Sequence, residues 1–553
     1  MAKRNYADLT KAELIQLLDA RDRRDATRFG LVWEANEIER DKALNQDFVA
    51  LDLDQDLSCG AAPWKNLIIE GDNFDALRYL RMTFAGRVKC IYIDPPYNTG
   101  NKDFVYNDRY VDKDDLWRHS KWCEFMFQRL TLAKDLLRQD GVIVVSIDDN
   151  EVFALGMILK RVFGENAFVA NCIWQKRYSR ENRGAIGDAH EYLMFFSPSP
   201  AAFQQYRGLI PLGDKQKAVY KNPNEDPDGP WQSVSLTAQG YRPNQMYQII
   251  APNGKVHEPP EGRCWALIES EYKKLRENGS NIGVSKGGRI WFGKDGNGVP
   301  RRIYYLNEAE GLVPWTWWNH EEVGHTDEAK REIRQWFGTQ TAFDTPKPLR
   351  LIERVLQISS PKCEGNEDII LDFFAGSGTT AHAVHKLNKE DGGNRRIILV
   401  SSTEATVDAP EKNLCRDVCA TRVRRVIEGY GGNEALAGDF AYLSCRRINP
   451  GNITDVDHEQ VWIALQLTHV PAITPFDESQ KFMIADHDGT RLIYVPHLKA
   501  RGSQLLLDTA LDSPSTIVYT WQPELVRQRL VNATNTQIEP VPESLAQRFG
   551  LRI

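Results

Sequence analysis

The 553-residue chain is 42% hydrophobic and 26% charged, which supplies enough apolar material for three or four packed domains and excludes a disordered chain. Its formal charge of −7 excludes a global positive field, so any affinity for nucleic acid has to come from local patches. No apolar run reaches the ~18 residues of a membrane-crossing helix, the start Met1-Ala2-Lys3-Arg4 opens no signal-peptide core, and the nine cysteines are scattered, so a cytoplasmic protein with reduced thiols and no metal site is expected.

Thr10-Lys11-Ala12-Glu13 is a capping box ahead of Leu14, Leu17 and Leu18, which predicts a short amphipathic helix in an N-terminal helical segment, residues 1–60. Leu67-Ile68-Ile69-Glu70 reads as a strand closed by Gly71-Asp72, and an amphipathic helix follows over residues 74–84. Asp72 is either the N-cap of that helix or a ligand-binding acid. The next strand, residues 88–93, runs directly into Asp94-Pro95-Pro96-Tyr97. That placement aims a carboxylate, a turn carbonyl and an aromatic ring out of a strand end, with the prolines fixing the backbone. A planar amino group suits the three: Asp94 accepts one N–H, the Pro95 carbonyl accepts the other, and Tyr97 stacks on the ring.

A helix over about 114–137 is expected to end at Asp140-Gly141, before a buried strand at 142–147. Between that strand and another at 190–196 lies the cation-rich stretch 175–183. Its Lys176, Arg177, Tyr178, Arg180 and Arg183 suit phosphate gripping or contact with an extruded base, although a solvated loop has the same composition. Tyr192 either lines a base pocket or packs in the core. These alternations predict a parallel sheet with helices on both faces and ligands at the carboxyl ends of the strands.

From 199 to 335 the texture turns to Gly, Pro, Trp, Tyr and mixed charge, as in Asp226-Pro227-Asp228-Gly229-Pro230. This suits nucleic-acid contacts, and a tryptophan core equally. Phe343-Asp344-Thr345-Pro346-Lys347-Pro348 then precedes a helix at 349–358. The apolar run to Asp372 breaks into Phe373-Phe374-Ala375-Gly376-Ser377-Gly378-Thr379, a strand, glycine loop and helix unit whose backbone can approach a ligand closely. The loop lacks the lysine of a GxxxxGK phosphate loop. Gly376-x-Gly378-x-x-Ala381 also fits the dinucleotide pattern, which leaves a nicotinamide or flavin oxidoreductase open. Glu404, beyond the run 397–400, is placed to bind ribose hydroxyls, with the polar insert 388–396 lengthening its distance from the loop. Beyond Tyr430, short apolar runs at 481–484, 491–495 and 515–519 suggest a separate small α/β domain.

Together the tetrad and the FxGxG loop, Phe374 to Gly378, resemble the amino-methyltransferases that use S-adenosylmethionine. The tetrad precedes the loop, which is the circularly permuted order of the beta group of DNA adenine methyltransferases. Gly262-Arg263-Cys264-Trp265, Arg289-Ile290-Trp291-Phe292-Gly293-Lys294-Asp295-Gly296, Val313-Pro314-Trp315-Thr316-Trp317-Trp318 and Glu322-Val323-Gly324-His325 look like stretches of type III restriction-modification methylating (Mod) subunits. The likeness covers roughly residues 29–429.

The resemblance implies a Rossmann-like α/β core in two halves, a catalytic half at 61–198 and a cofactor-binding half at 336–430. A target-recognition region at 199–335 would lie between them, and an accessory α/β extension at 431–553 would follow. It implies methyl transfer to adenine N6 in duplex DNA, in restriction-modification or phage defence. Cytosine N4 methylation, or a DNA-recognition subunit serving a nuclease, remain alternatives. Asp94, Pro95, Pro96 and Tyr97 would be catalytic. The loop from Asp372 to Thr379, with Asp72, Glu404 and Lys347, would hold the cofactor, Lys347 meeting its carboxylate. Double-stranded DNA, a second copy of the chain and a helicase-nuclease restriction subunit are the implied partners. No metal is required, because the sulfonium leaving group already carries positive charge.

Overall fold

The structure is a computed structural model that describes residues 48–541 apart from 101–104, 107–108, 111–117, 180–185, 224, 278–288, 339–342, 363–366, 407–408, 449–455 and 499–502. The chain divides into two units, the second of which, Leu209–Pro314, interrupts the first.

A ten-stranded sheet organises the first unit. Its strands are β1 (Phe48–Cys59), β2 (Leu67–Glu70), β3 (Val88–Ile93), β4 (Leu137–Ile147), β5 (Phe168–Gln175), β6 (His190–Phe196), β7 (Trp317–Trp318), β8 (Ile369–Asp372), β9 (Arg396–Ser401) and β10 (Phe440–Ile448). Their spatial order is β1-β10-β2-β9-β8-β3-β4-β6-β5-β7. The six strands from β10 to β4 are parallel, β1 pairs antiparallel at one edge, and β6 runs antiparallel between β4 and β5. Helices α1 (Asn73–Phe84), α2 (Arg118–Leu136), α3 (Val152–Phe163), α4 (Thr326–Phe337), α5 (Leu349–Ser359), α6 (Thr379–Asp391), α7 (Thr421–Glu428) and α8 (His458–His469) belong to the same unit.

The near-continuous apolar strands make sense because both faces of the sheet are covered. Successive side chains point to opposite faces, so each strand feeds two cores. Ile91 and Ile93 of β3, Leu371 of β8 and Val400 of β9 enter the first core, with Leu77 of α1, Leu130 of α2, Leu155 of α3 and Trp462 of α8. Cys90, Tyr92, Ile370 and Leu399 enter the second, with Ile352 of α5, Val384 of α6 and Val423 of α7. Among the described residues, no helix is long and apolar enough to cross a membrane.

Several expected boundaries move. Residues 48–59, expected within a helical segment, form the edge strand β1, paired with β10 from Phe48↔Ile448 to Asp54↔Tyr442. The capping box at Thr10 lies outside the described residues. Helix α2 stops at Leu136 and β4 begins at Leu137, so Asp140 sits inside the strand, where its carboxylate accepts from Lys89 and Arg138 instead of ending a helix. Residues beyond 430 do not form one separate domain: β10 lies between β1 and β2, and α8 packs in the first core. The accessory sheet is confined to β11 (Met483–His487), β12 (Thr490–Val495), β13 (Ser515–Thr520) and β14 (Thr536–Pro540).

The second unit is narrower than the expected 199–335, because β7 and α4 belong to the first unit. It contains short antiparallel pairings around Trp231–Ser235, Arg301–Tyr305 and Arg263–Trp265. Trp265, Tyr272, Ile290 and Phe292 form a core there, so part of the aromatic content serves packing, while Tyr241 is 74% exposed.

Candidate active site

From β8 the chain crosses to β9 on one side, and from β3 to β4 on the other. Crossovers that diverge from neighbouring strands leave a crevice at the carboxyl ends, the usual ligand position in such sheets. Asp372 ends β8 and Asp94 follows β3, so both flank this switch point.

The loop after β8 is held from within. Asp372 is buried, and its two oxygens accept from the Phe374 N–H (3.0 Å) and the Thr380 hydroxyl (2.6 Å). Burial outweighs these bonds and raises its pKa to about 7. Gly376 and Gly378 have φ of 50° and 74°, a left-handed conformation that side chains disfavour. A Cβ on Gly376 would meet the Phe343 ring at 3.0 Å; one on Gly378 would meet Val423 at 3.1 Å and the Cys419 carbonyl at 3.3 Å. The fully buried Arg422 of α7 donates to the hydroxyls of Thr379 (2.7 Å) and Ser377 (3.1 Å), bracing the start of α6. Phe373, Ala375, Ser377 and Thr379 are themselves buried and Phe374 is half-buried, so what the loop can offer a ligand is mainly backbone.

Asp72 caps α1, accepting from the Phe74 N–H at 2.8 Å, and pairs with Arg129 at 3.1 Å. Its neighbour Asn73 donates to the Phe373 carbonyl at 2.8 Å, which ties the start of α1 to the glycine loop. Glu404 lies beyond β9 with φ of 52° and a 2.8 Å ion pair to Lys412.

Strand parity places Asp94. It continues the Cys90 and Tyr92 series, so it leaves β3 on the face where α5 packs. Lys347, two residues before α5, meets it there: Nζ donates to both carboxylate oxygens at 2.6 Å. The Tyr97 hydroxyl donates to Asp94 Oδ1 and to Glu191 Oε2, each at 2.9 Å, and Lys347 Nζ lies 4.9 Å from the centre of the Tyr97 ring. The Pro96 carbonyl accepts from Trp122 at 2.7 Å, pinning the turn to α2. Burial pushes the Asp94 carboxyl above the usual carboxylate range; Lys347 opposes this and Glu191 adds to it. Burial also works against the Lys347 ammonium, but the two carboxylates outweigh it and hold its pKa above the ordinary lysine value. Lys347 therefore engages Asp94 rather than standing free for a ligand carboxylate.

Glu191 completes the cluster, and nothing in its local sequence names its partners. Within the strand at 190–196 it shares a face with the buried Leu193 and Phe195, and an acid on that face is the signal. It also changes the account of Lys176, whose buried ammonium pairs with Asp188 (2.8 Å) and Glu191 (3.5 Å) instead of presenting a cation for phosphate. Arg177 is exposed. Tyr178 is 60% exposed, with its ring 5.0 Å from that of His325 and 5.6 Å from that of His320. Arg180 and Arg183 lie outside the described residues. Tyr192 is half-buried, and its hydroxyl donates to Asp149 at 2.8 Å, apart from the Asp94 cluster.

A DNA methylase family model matches residues 88–408, a span that contains both the tetrad and the glycine loop. Three relatives show the same likeness. The Mod subunit of the type III restriction-modification enzyme StyLTI from Salmonella typhimurium is 34% identical, over 81% of this chain and 70% of its own. The Mod subunit of the type III enzyme EcoPI from Escherichia phage P1 is 31% identical, over 62% of this chain and 58% of its own. The type II methyltransferase M.KpnI from Klebsiella pneumoniae is 32% identical, over 60% of this chain and 79% of its own. The chain thus spans less than two thirds of the phage relative's length.

Proposed function

The chain belongs to the DNA methylase family, and on that premise we propose that it transfers a methyl group from S-adenosylmethionine to N6 of adenine in duplex DNA. One observation carries the reading: the glycine loop and the Asp94 tetrad emerge from adjacent parallel strands at the same switch point. A cofactor on the first therefore lies beside a base presented to the second.

The loop fits the cofactor by its shape. The left-handed Gly376 leaves a cradle that a Cβ would fill, closed on one side by the movable end of the Phe343 side chain, while the left-handed Gly378 lets the loop pack against Val423 and the Cys419 carbonyl. The backbone of residues 373–379 and the free N–H groups at the start of α6 would hold the cofactor, with Glu404 toward the ribose hydroxyls and Asp72 toward the adenine side. When bound, S-adenosylmethionine supplies an electrophilic methyl on a sulfonium.

The chain's own residues do the rest by positioning. The exocyclic nitrogen is a poor nucleophile while its lone pair is delocalised into the base. Asp94 accepts one N–H and the Pro95 carbonyl the other, which polarises the amino group, and the Tyr97 ring stacks on the base. The base reaches them by rotating out of the duplex. Tyr178 and Arg177 lie on the surface at the carboxyl end of β5 and would contact the flanking DNA.

Two partners belong to the proposal: a second copy of this chain, and a helicase-nuclease restriction subunit that supplies cleavage; the relatives' names, which call them subunits of restriction-modification enzymes, support the second alone. Tritiated-methyl transfer to duplex DNA, followed by nucleoside analysis, tests the main reading. N6-methyladenine is expected; N4-methylcytosine would reject the target, and no transfer would reject the activity. Light scattering on the purified chain tests self-association, and an active monomer would reject it.

A further inference from the structure

We propose that Glu191 is a positioning residue for the transfer: it takes over the Lys347 ammonium and holds the Tyr97 hydroxyl when the Asp94 carboxylate turns to the target amino group. This rests on Asp94 being the acceptor for that group. In the structure Asp94 is already engaged, by Lys347 at 2.6 Å on both oxygens and by Tyr97 at 2.9 Å. An arriving amino group has to displace one or both donors. Lys347 is only 9% exposed, and a buried ammonium stripped of its partner is strongly disfavoured.

Glu191 removes that obstacle. Its Oε2 lies 3.6 Å from the same ammonium and 2.9 Å from the Tyr97 hydroxyl, so both donors have a second acceptor in place. A movement of Nζ by about 1 Å completes the exchange. Lys176 faces Glu191 from the far side, with Nζ 3.5 Å from Oε1, and shares its charge with Asp188 at 2.8 Å, so the cluster holds two ammonium groups among the carboxylates of Asp94, Glu191 and Asp188. Other titratable groups around the cluster are Tyr97, Tyr92 and Asp372 beside Asp94, and Asp148 beside Glu191 and Lys176.

Topology explains why the residue is there. β6 runs against its neighbours, so its first residues lie beside the carboxyl ends of β4 and β5, with Glu191 opposite Trp174. Parity then turns Glu191 to the face shared by Leu193, Phe195 and Tyr92, where Asp94 also leaves β3.

The test compares the full-length wild-type chain with Glu191→Gln in methyl-transfer kinetics across the acidic and neutral range, with calorimetry for S-adenosylmethionine. The amide cannot carry the charge that Lys347 needs, so kcat should fall about tenfold or more, while KM for DNA and cofactor affinity stay within about twofold. The acid limb of kcat should move to lower pH, because Glu191 no longer raises the Asp94 carboxyl. Glu191→Asp should recover part of kcat. Where Glu191→Gln fails to fold, Lys176→Met gives the opposite reading. Glu191 then draws Lys347 from Asp94, and the acid limb should move to higher pH.

A loss of kcat without a shift of the acid limb would reduce Glu191 to a structural role and overturn the proposal, as would unchanged kinetics or an unmoved limb in Lys176→Met. Transfer by the wild type with any of these results rejects the inference alone. Absence of transfer by the wild type rejects the methyltransferase reading and this inference with it.

Discussion

The Lys347 ammonium lies 2.6 Å from both carboxylate oxygens of Asp94, across 253 residues of sequence. The pair is held by two independent features, the parity that turns Asp94 toward α5 and the Pro346-Lys347-Pro348 run that ends at the N-cap of that helix. In the mechanism proposed above it sits where the target amino group is received, which would make it both the resting state of the acceptor and the contact that a substrate must break.

Asp94→Ala should therefore lower methyl transfer on the order of a hundredfold or more, through loss of a positioned acceptor. Lys347 keeps Glu191 at 3.6 Å and is not stranded, so the variant should fold and bind S-adenosylmethionine with near wild-type affinity. Single-turnover kinetics alongside calorimetry check both halves, and near-normal turnover would sink the assigned role.

The two glycines should fail differently. A Cβ on Gly376 carries left-handed backbone strain at φ of 50° but meets only the far end of the Phe343 ring, which can swing away, so Gly376→Ala should still fold and lose cofactor affinity by about tenfold or more. A Cβ on Gly378 meets a buried valine and a backbone carbonyl, with φ of 74°, so Gly378→Ala should be destabilised by about 1–2 kcal/mol before any ligand is added. Calorimetry on the first and thermal unfolding of the second separate the cases; unchanged affinity in Gly376→Ala would make the loop a plain structural turn.

What was legible in the sequence was local. The apolar run before Asp94, the glycine break after Asp372 and the apolar run of β6 all follow from periodicity and turn chemistry within a dozen residues. Sheet order is not local. Nothing in the residues around β10 says that it slots between β1 and β2, which is why the region beyond 430 was expected to stand apart. The same limit hid the Lys347–Asp94 pair and the burial of Lys176, since each depends on strands that become neighbours only when the sheet closes. Glu191 was legible in part: its place at the start of an apolar strand was visible, but its partners were not.

Tyr178 offers a surface test. Its ring is 60% exposed beside His325 and His320, at the end of β5, so it can stack on a base without giving up core packing. Tyr178→Ala should weaken DNA binding by about 1–3 kcal/mol and leave the salt dependence unchanged, because a stacking surface is lost and no charge. Cofactor affinity should not move. Fluorescence anisotropy at several salt concentrations checks this, and wild-type binding would remove Tyr178 from the DNA interface.

Asp372 makes the stability of the fold depend on pH. Burial raises its carboxyl to about 7 in the folded chain, whereas in the unfolded chain it titrates near ~3.9. The folded state therefore holds the proton more tightly. Its contribution to stability is fully present below ~3.9 and is lost as the pH rises through about 7. Asparagine has nothing to ionise and can still accept from the Phe374 N–H, while the Thr380 hydroxyl can turn to accept from the amide. The Tm of Asp372→Asn relative to wild type should thus rise steadily between these two pH values and level off above the upper one. Thermal unfolding at matched ionic strength measures it. A difference in Tm that stays constant across that window would mean the carboxylate remains ionised inside the loop, with the Phe374 and Thr380 bonds outweighing its burial.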